Sequence, residues 1–233
     1  MIEIIAFDGD DTLWHNETHY RDTAVKFERL LAANYGLSGI DGEIYKTEIK
    51  NLPYFGYGVK SYTISMIETA VRLTEGRIEG RHVVEIANFG RGMLDLDVEL
   101  LDGAERAVAK LAASYPLMLI TKGDQFEQER KFKRSGLASY FTNIEIVSEK
   151  TAASYAALFS KYKINPTQLV MVGNSLRSDI LPLVKLGARA VYIPYEIIWE
   201  HETILDEPLD QERYIQIESM SALVSTVEAI DSN

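Results

Sequence analysis

Short apolar runs recur along the chain at residues 2–7, 117–120, 144–147, 169–172 and 190–193, each closed by polar residues or glycine. They are aliphatic over consecutive positions, not alternate ones, as expected of strands buried on both faces of a parallel sheet. The stretches between them carry helical spacing: Ala104, Val108, Leu111 and Ala112 in one, Tyr155, Leu158, Phe159 and Tyr162 in another. Each such stretch can lay one apolar stripe on a sheet. Strand alternating with amphipathic helix predicts a doubly wound, Rossmann-like α/β core, with ligands beyond the carboxyl ends of the strands.

Local signals place the helix ends. Asp124 with Glu127 reads as a capping box, and Ser178 reads as the N-cap of a helix carrying Ile180, Leu183 and Val184 that ends near Gly187. Beyond Pro194 an acidic, irregular stretch precedes a strand at 214–217 and a helix over about 221–230.

Residues from about 16 to 99 break the alternation. Tyr20, Ala24, Phe27 and Leu31 make one helical stripe, Tyr62, Met66, Ala70 and Leu73 another, and Val83, Ile86 and Ala87 a third. The chain of 233 residues is about one and a half domain lengths. The expected organisation is a core of residues 1–15 and 100–233 with an all-helical cap domain, 16–99, inserted after the first strand.

Charge and composition narrow the partners. The chain has 24 Lys and Arg against 35 Asp and Glu, a net charge of −11, which repels nucleic-acid backbones and anionic membranes. Any phosphate chemistry then needs a local cation. There is no cysteine, which excludes disulfides, thiolate nucleophiles and cysteine-based metal sites. The N-terminus lacks a basic leader, and every apolar run is too short to span a membrane, so the expectation is a soluble, cytoplasmic protein.

The chemistry-bearing residues cluster at strand ends. Asp8 and Asp10 lie two apart after the first strand, so on extended backbone both carboxylates face one side. Such a pair divides the roles of nucleophile and acid/base, holds a divalent cation, or simply makes an aspartate-rich turn. Thr121, Lys150 and the stretch Gly173-Asn174-Ser175-Leu176-Arg177-Ser178-Asp179 follow the next three strands. Carboxylates, a hydroxyl, an ammonium and an Asn/Asp pair at one sheet edge suit a phosphate and a hard cation, and oxygen ligands suit magnesium.

Asp8-Gly9-Asp10-Asp11-Thr12, Thr121, Lys150 and Gly173-Asn174 through Asp179 resemble the four ordered motifs of the haloacid dehalogenase-like (HAD) hydrolase superfamily, and the helical insertion resembles its type 1 cap. The resemblance implies a magnesium-dependent phosphatase acting on a small phosphorylated metabolite. Asp8 would form an aspartyl phosphate, and Asp10 would protonate the leaving oxygen and then take a proton from water. Thr121, Lys122, Gly123 and Lys150 would bind the substrate phosphate, with Thr121 and Lys150 also serving the chemistry. Asp8, the carbonyl of Asp10, Asn174 and Asp179 would hold Mg2+. Many members carry aspartate where Asn174 stands. Either Asn174 ligates with Asp179 behind it, or Asp179 takes the metal itself or through water.

Asp10 favours a phosphatase over a haloacid dehalogenase, because halide departs without a proton whereas an alkoxide needs one. A phosphomutase, a phosphonatase using Lys60, a receiver-type binding module and a catalytically silent phosphate-binding protein are the other readings. Five features have bland alternatives. His15 and His19, spaced i, i+4, read as a zinc pair, or as hinge packing or a solvated helix start. Trp14 reads as hinge packing and Lys122 as a rim cation. The aromatic, glycine-rich stretch 53–60 reads as a loop over the site or as packing within the cap, and the acidic stretch 200–212 as a solvated loop.

Overall fold

The computed structural model describes residues 1–40, 42–203 and 213–232. Its strands are β1 (Ile4–Phe7), β2 (Leu117–Lys122), β3 (Asn143–Val147), β4 (Leu169–Gly173), β5 (Arg189–Tyr192) and β6 (Tyr214–Gln216). Its helices are α1 (Glu17–Tyr35), α2 (Glu43–Phe55), α3 (Val59–Leu73), α4 (Gly80–Asp95), α5 (Ala104–Ala112), α6 (Gln125–Arg134), α7 (Ala152–Tyr162), α8 (Leu181–Val184) and α9 (Leu223–Ser232). Two units divide them: Met1–Glu17, Val98–Lys122 and the described residues from Gln128 onward in one, Thr18–Asp97 with Gly123–Glu127 in the other.

In the first unit all six strands are parallel, in the order β3-β2-β1-β4-β5-β6. The first strand in the chain is therefore central, with Ile5 opposite Leu117 on one side and Val170 on the other. Alternate side chains of a strand leave on opposite faces, and here both faces are dry. Ile5, Phe7, Leu117, Leu119, Val170 and Val172 join one core with residues of α5 and α9; Ala6, Met118, Ile120 and Met171 join another with residues of α7 and α8. This explains the unbroken apolar runs. The edge strand β3 is half-buried throughout. Because the strands are parallel, the chain leaves every one of them at the same edge; β2 runs two residues beyond expectation, so Thr121 and Lys122 are its last residues, while Asp8, Lys150 and Asn174 follow β1, β3 and β4.

Several boundaries differ from expectation. The first strand starts at Ile4, the fifth covers Arg189–Tyr192, and α9 begins only after a single tight turn at Met220–Ala222. Ser178 is not a helix cap. Ser175 takes that place, its hydroxyl accepting the Ser178 N–H at 3.0 Å as the chain makes a wide turn over Leu176–Ile180 before α8. Residues 204–212 of the acidic stretch lie outside the described residues.

The second unit is built from α1 to α4. Phe27, Leu31, Tyr62, Met66, Ala70 and Ile86 make its apolar core. Helix α2 gives that core Ile44 but no buried apolar residue, and it bonds to α3 through polar groups: Thr69 donates to Thr47 at 2.7 Å, and Asn51 donates to Ser65 at 3.2 Å and Glu68 at 3.0 Å. It also runs through Pro53 to Phe55, so residues 53–60 are not one loop. Tyr54 and Phe55 are 79% and 53% exposed and do not pack the unit's core. The turn between α2 and α3 passes through Gly56 and Gly58, at φ 67° and 106°. Asp124 accepts the Glu127 N–H at 3.0 Å, the first half of the expected capping box, and Glu127 accepts the Val59 N–H at 2.9 Å.

Candidate active site

Asp8 continues the line of β1, its N–H donating to the Val172 carbonyl at 2.9 Å. The chain then turns sharply. The Gly9 carbonyl accepts from Leu13 at 2.8 Å, and Asp11 adopts φ 59°. A side chain at Gly9 would put its Cβ 2.6 Å from the buried Trp14 ring. The backbone is thus not extended past Asp8, and the two carboxylates take different partners.

Asp8 faces a buried ammonium. Lys150 donates to Asp8 Oδ1 and, at 2.7 Å, to Asp179 Oδ1. Thr12 Oγ1 donates to Asp8 Oδ2 at 3.1 Å. Burial, then the Asp179 carboxylate, push Asp8 up to about 7 against the pull of Lys150. Burial alone would depress Lys150, but Asp179 and Asp8 reverse that and raise it well above an ordinary lysine. Asp179 is held on its other oxygen by the Ser175 N–H at 3.0 Å. Gly173 makes room for it, since a Cβ there would lie 2.4 Å from the Asp179 Cβ.

Asp10 turns toward α6. Trp14 Nε1 donates to Oδ1 at 2.6 Å, Gln128 Nε2 to Oδ2 at 2.8 Å, and Lys131 Nζ lies 3.0 and 3.1 Å from the two oxygens. Trp14 is therefore a ligand of Asp10 as well as a core residue. Asp11 accepts the N–H groups of Asn16 at 2.8 Å and Glu17 at 3.1 Å, while burial, then Asp10, push its pKa up to about 8.

With its amide turned so that the nitrogen faces inward, Asn174 places that nitrogen 3.2 Å from Asp8 Oδ2, 3.2 Å from Thr12 Oγ1 and 3.3 Å from the Asp10 carbonyl, within donating distance of all three. Three oxygens thus converge on one small donor, as they would on a hard cation, and half a turn of the amide offers its own oxygen to the same space. Hard-oxygen chemistry of this kind fits magnesium. The set includes a carboxamide and a main-chain carbonyl, and among the described residues no group of three His, Asp or Glu is placed to hold a metal. His15 and His19 therefore form no zinc site there; His15 Nδ1 lies 2.7 Å from the Tyr195 hydroxyl.

Thr121 donates to Gln128 Oε1 at 3.3 Å, so the amide of Gln128 joins Thr121 to Asp10. Lys122 stands apart from this set. It pairs with Glu202 and donates to Ser178 Oγ at 3.1 Å, while Ser175 and Ser178 also donate to Glu202. Glu202 is thus no solvated surface group. Gly123, at φ 142°, belongs to the second unit with residues 124–127.

Asp8, Lys150, Asp179, Asn174 and the Asp10 carbonyl are thus joined by direct contacts, and Thr121 is joined through Gln128. Sequence reasoning gave no role to Thr12, quoted only within the first motif, read Glu202 as part of a solvated loop, and missed Gln128 and Lys131. Gln128 and Lys131 share a helix face by their i, i+3 spacing, but in the charged stretch 125–134 that face reads as solvated.

The family model of haloacid dehalogenase-like hydrolases matches residues 2–187. A haloacid dehalogenase-like family hydrolase from Xanthomonas campestris is 42% identical, over 99% of this chain and 92% of its own, with a TM-score of 0.88. The HAD-hydrolase YfnB from Bacillus subtilis, solved bound to magnesium, is 16% identical over 97% and 98% with a TM-score of 0.64. A 2-haloacid dehalogenase from Pseudomonas syringae is 17% identical over 98% and 99% with a TM-score of 0.66. The last two likenesses concern the fold alone. Among curated proteins none matches the chain.

Proposed function

The chain belongs to the haloacid dehalogenase-like hydrolase family, and on that premise we propose that it is a magnesium-dependent phosphatase cleaving a small phosphomonoester through an aspartyl phosphate on Asp8. The observation that carries this reading is the buried Lys150 ammonium bonded to both Asp8 and Asp179. An anionic nucleophile approaching an anionic phosphate is opposed by Coulomb repulsion, and a fixed cation at the nucleophile offsets it.

In this reading an Asp8 oxygen bonds to phosphorus as the ester P–O bond breaks, and Asp10 gives its proton to the departing oxygen. Water then attacks the phosphorus of the aspartyl phosphate, Asp10 accepts the water proton, and Asp8 leaves as a carboxylate with inorganic phosphate. Thr121 turns its hydroxyl from Gln128 to a phosphate oxygen. Asp8, the Asp10 carbonyl and Asn174 would hold Mg2+, with Asp179 behind them fixing Lys150. When bound, the ion supplies positive charge to the phosphate oxygens.

Asp10 supports phosphatase over dehalogenase chemistry, since halide release needs no acid. YfnB is described as bound to magnesium, which supports the metal by fold likeness. The helical unit would act as the cap that selects the leaving group. Among the described residues no helix is long and apolar enough to cross a membrane; a cytoplasmic metabolite as substrate is part of the proposal. Purified protein is to be tested on sugar, nucleotide and small organic phosphates with and without Mg2+. Phosphate release that needs Mg2+ and vanishes in Asp8→Asn is expected. Halide release from a haloacid, or full activity in Asp8→Asn, overturns the reading.

A further inference from the structure

The wide turn Leu176–Ile180, which follows Asn174 and carries Asp179, hangs on its opening residue. The Ser175 carbonyl accepts the N–H groups of Asp179 at 2.8 Å and Ile180 at 3.2 Å, and wide turns of this kind are rare and concentrate at functional sites. Its support comes from the single tight turn Glu200–Glu202. The Ser175 hydroxyl donates to Glu202 Oε2, the Ser178 hydroxyl donates to the same oxygen at 2.7 Å, and Lys122 pairs with Oε1 while donating to Ser178 Oγ at 3.1 Å. Arg177 donates to the carbonyl of the neighbouring His201. Lys122 ends β2 and Ser175 follows β4, and in the strand order these two flank β1, which leads into Asp8. One carboxylate therefore bridges the strand ends on either side of the nucleophile.

Ser175 is where this bridge meets the site. Its N–H donates to Asp179 Oδ2 at 3.0 Å, and its hydroxyl oxygen accepts the Ser178 N–H at 3.0 Å. A hydroxyl has one proton to give; given to Glu202, it leaves a lone pair aimed at Ser178 and locks the side chain. Lys122 offsets the carboxylate, so the bridge adds no net negative charge beside a site that must accept a phosphate. We infer that Glu202 is a positioning residue for the metal, holding through Ser175 the stretch from Asn174 to Asp179 in the form that takes up Mg2+. The inference rests on the proposed Mg2+ site. An ion pair that only stabilises the fold leaves the metal affinity of the folded protein unchanged, whereas a group that orients the ligands changes it about 10- to 100-fold.

The test measures the Mg2+ dissociation constant by calorimetry, without substrate, for wild type, Glu202→Gln, Ser175→Ala, the double variant of these two, and Ile230→Ala. Ile230 is a buried core residue of α9, so its truncation lowers stability without touching the turn. Glu202→Gln and Ser175→Ala are each expected to weaken Mg2+ binding about 10- to 100-fold. The double variant is expected to lose no more than about 3-fold beyond the weaker-binding single variant, because the two residues act through one bond. Ile230→Ala is expected to bind as wild type does. Ser175→Ala keeps the Lys122–Glu202 pair and decides the question by itself if Glu202→Gln does not fold. Wild-type affinity in either single variant, losses that multiply in the double variant, or an equal loss in Ile230→Ala overturns the inference and leaves the phosphatase reading standing. A wild-type protein that binds no Mg2+ overturns both.

Discussion

Lys150 Nζ and Asp179 Oδ1 lie 2.7 Å apart in the interior of the sheet unit, and the same ammonium donates to Asp8. One buried cation thus serves two buried carboxylates. Removing it leaves like charges facing each other out of water, the arrangement in which breaking an ion pair costs most. Lys150→Met is expected to lower unfolding free energy by about 3–5 kcal/mol and to abolish phosphate release. Urea denaturation checks the first and a phosphate assay the second; a variant as stable as wild type would show that the pair is not the anchor of Asp8.

Gly173 ends β4 where Asp179 folds back over it. A Cβ there would come within 2.4 Å of Asp179 Oδ2 and 2.5 Å of its Cγ, too close to be absorbed without moving the carboxylate. Gly173→Ala is expected to destabilise the protein by about 1–3 kcal/mol, the usual cost of overpacking, and to lower turnover at least about 10-fold through the Lys150 contact. Undiminished turnover would mean that Asp179 shifts freely.

Burial by itself would raise the Glu202 pKa, but the Lys122 ammonium and the hydroxyls of Ser175 and Ser178 prevail and hold it at about 2, against an ordinary 4.5. The folded protein therefore binds this proton more weakly than the unfolded chain, and the stabilisation is full above 4.5 and lost as pH falls toward 2. The shift corresponds to at most about 3 kcal/mol. The stability gap between wild type and Glu202→Gln, followed by urea unfolding, should be constant near neutrality and close on acidification through that window. A gap that widens there contradicts the pairing.

The Asn174 carboxamide lies beside Asp8 Oδ2 and the Asp10 carbonyl, and half a turn would present its neutral oxygen to a cation there. An added negative charge there should bind a divalent cation more tightly. Asn174→Asp is expected to bind Mg2+ at least about 10-fold more tightly by calorimetry, about 1.4 kcal/mol, with a larger Mg2+-induced rise in melting temperature. An unchanged Mg2+ affinity would move the metal away from Asn174.

The sheet and most helices were legible in the sequence because burial on both faces leaves a continuous apolar trace and burial on one face leaves a stripe. Helix α2 left neither. Its buried residues are Thr47 and Asn51, bonded to Thr69 and Ser65 of α3, so most of its inner face has the composition of an outer one. The Ser178 assignment failed similarly: Ser175 and Ser178 are both competent caps, and only the wide turn at Leu176–Ile180 selects between them.

Taken alone, the sequence determined that Asp8, Thr121, Lys150 and Asn174 lie at the ends of strands of a parallel α/β sheet, and parallel strands all end on one edge, so these residues had to emerge together. It did not determine which charge meets which. Lys150 pairs with Asp8 across 142 positions, Lys131 with Asp10 across 121, and Lys122, the nearest cation to Thr121, goes to Glu202. Periodicity reports what a residue's own element buries, whereas an ion pair depends on distances between elements, and only the folded chain sets those.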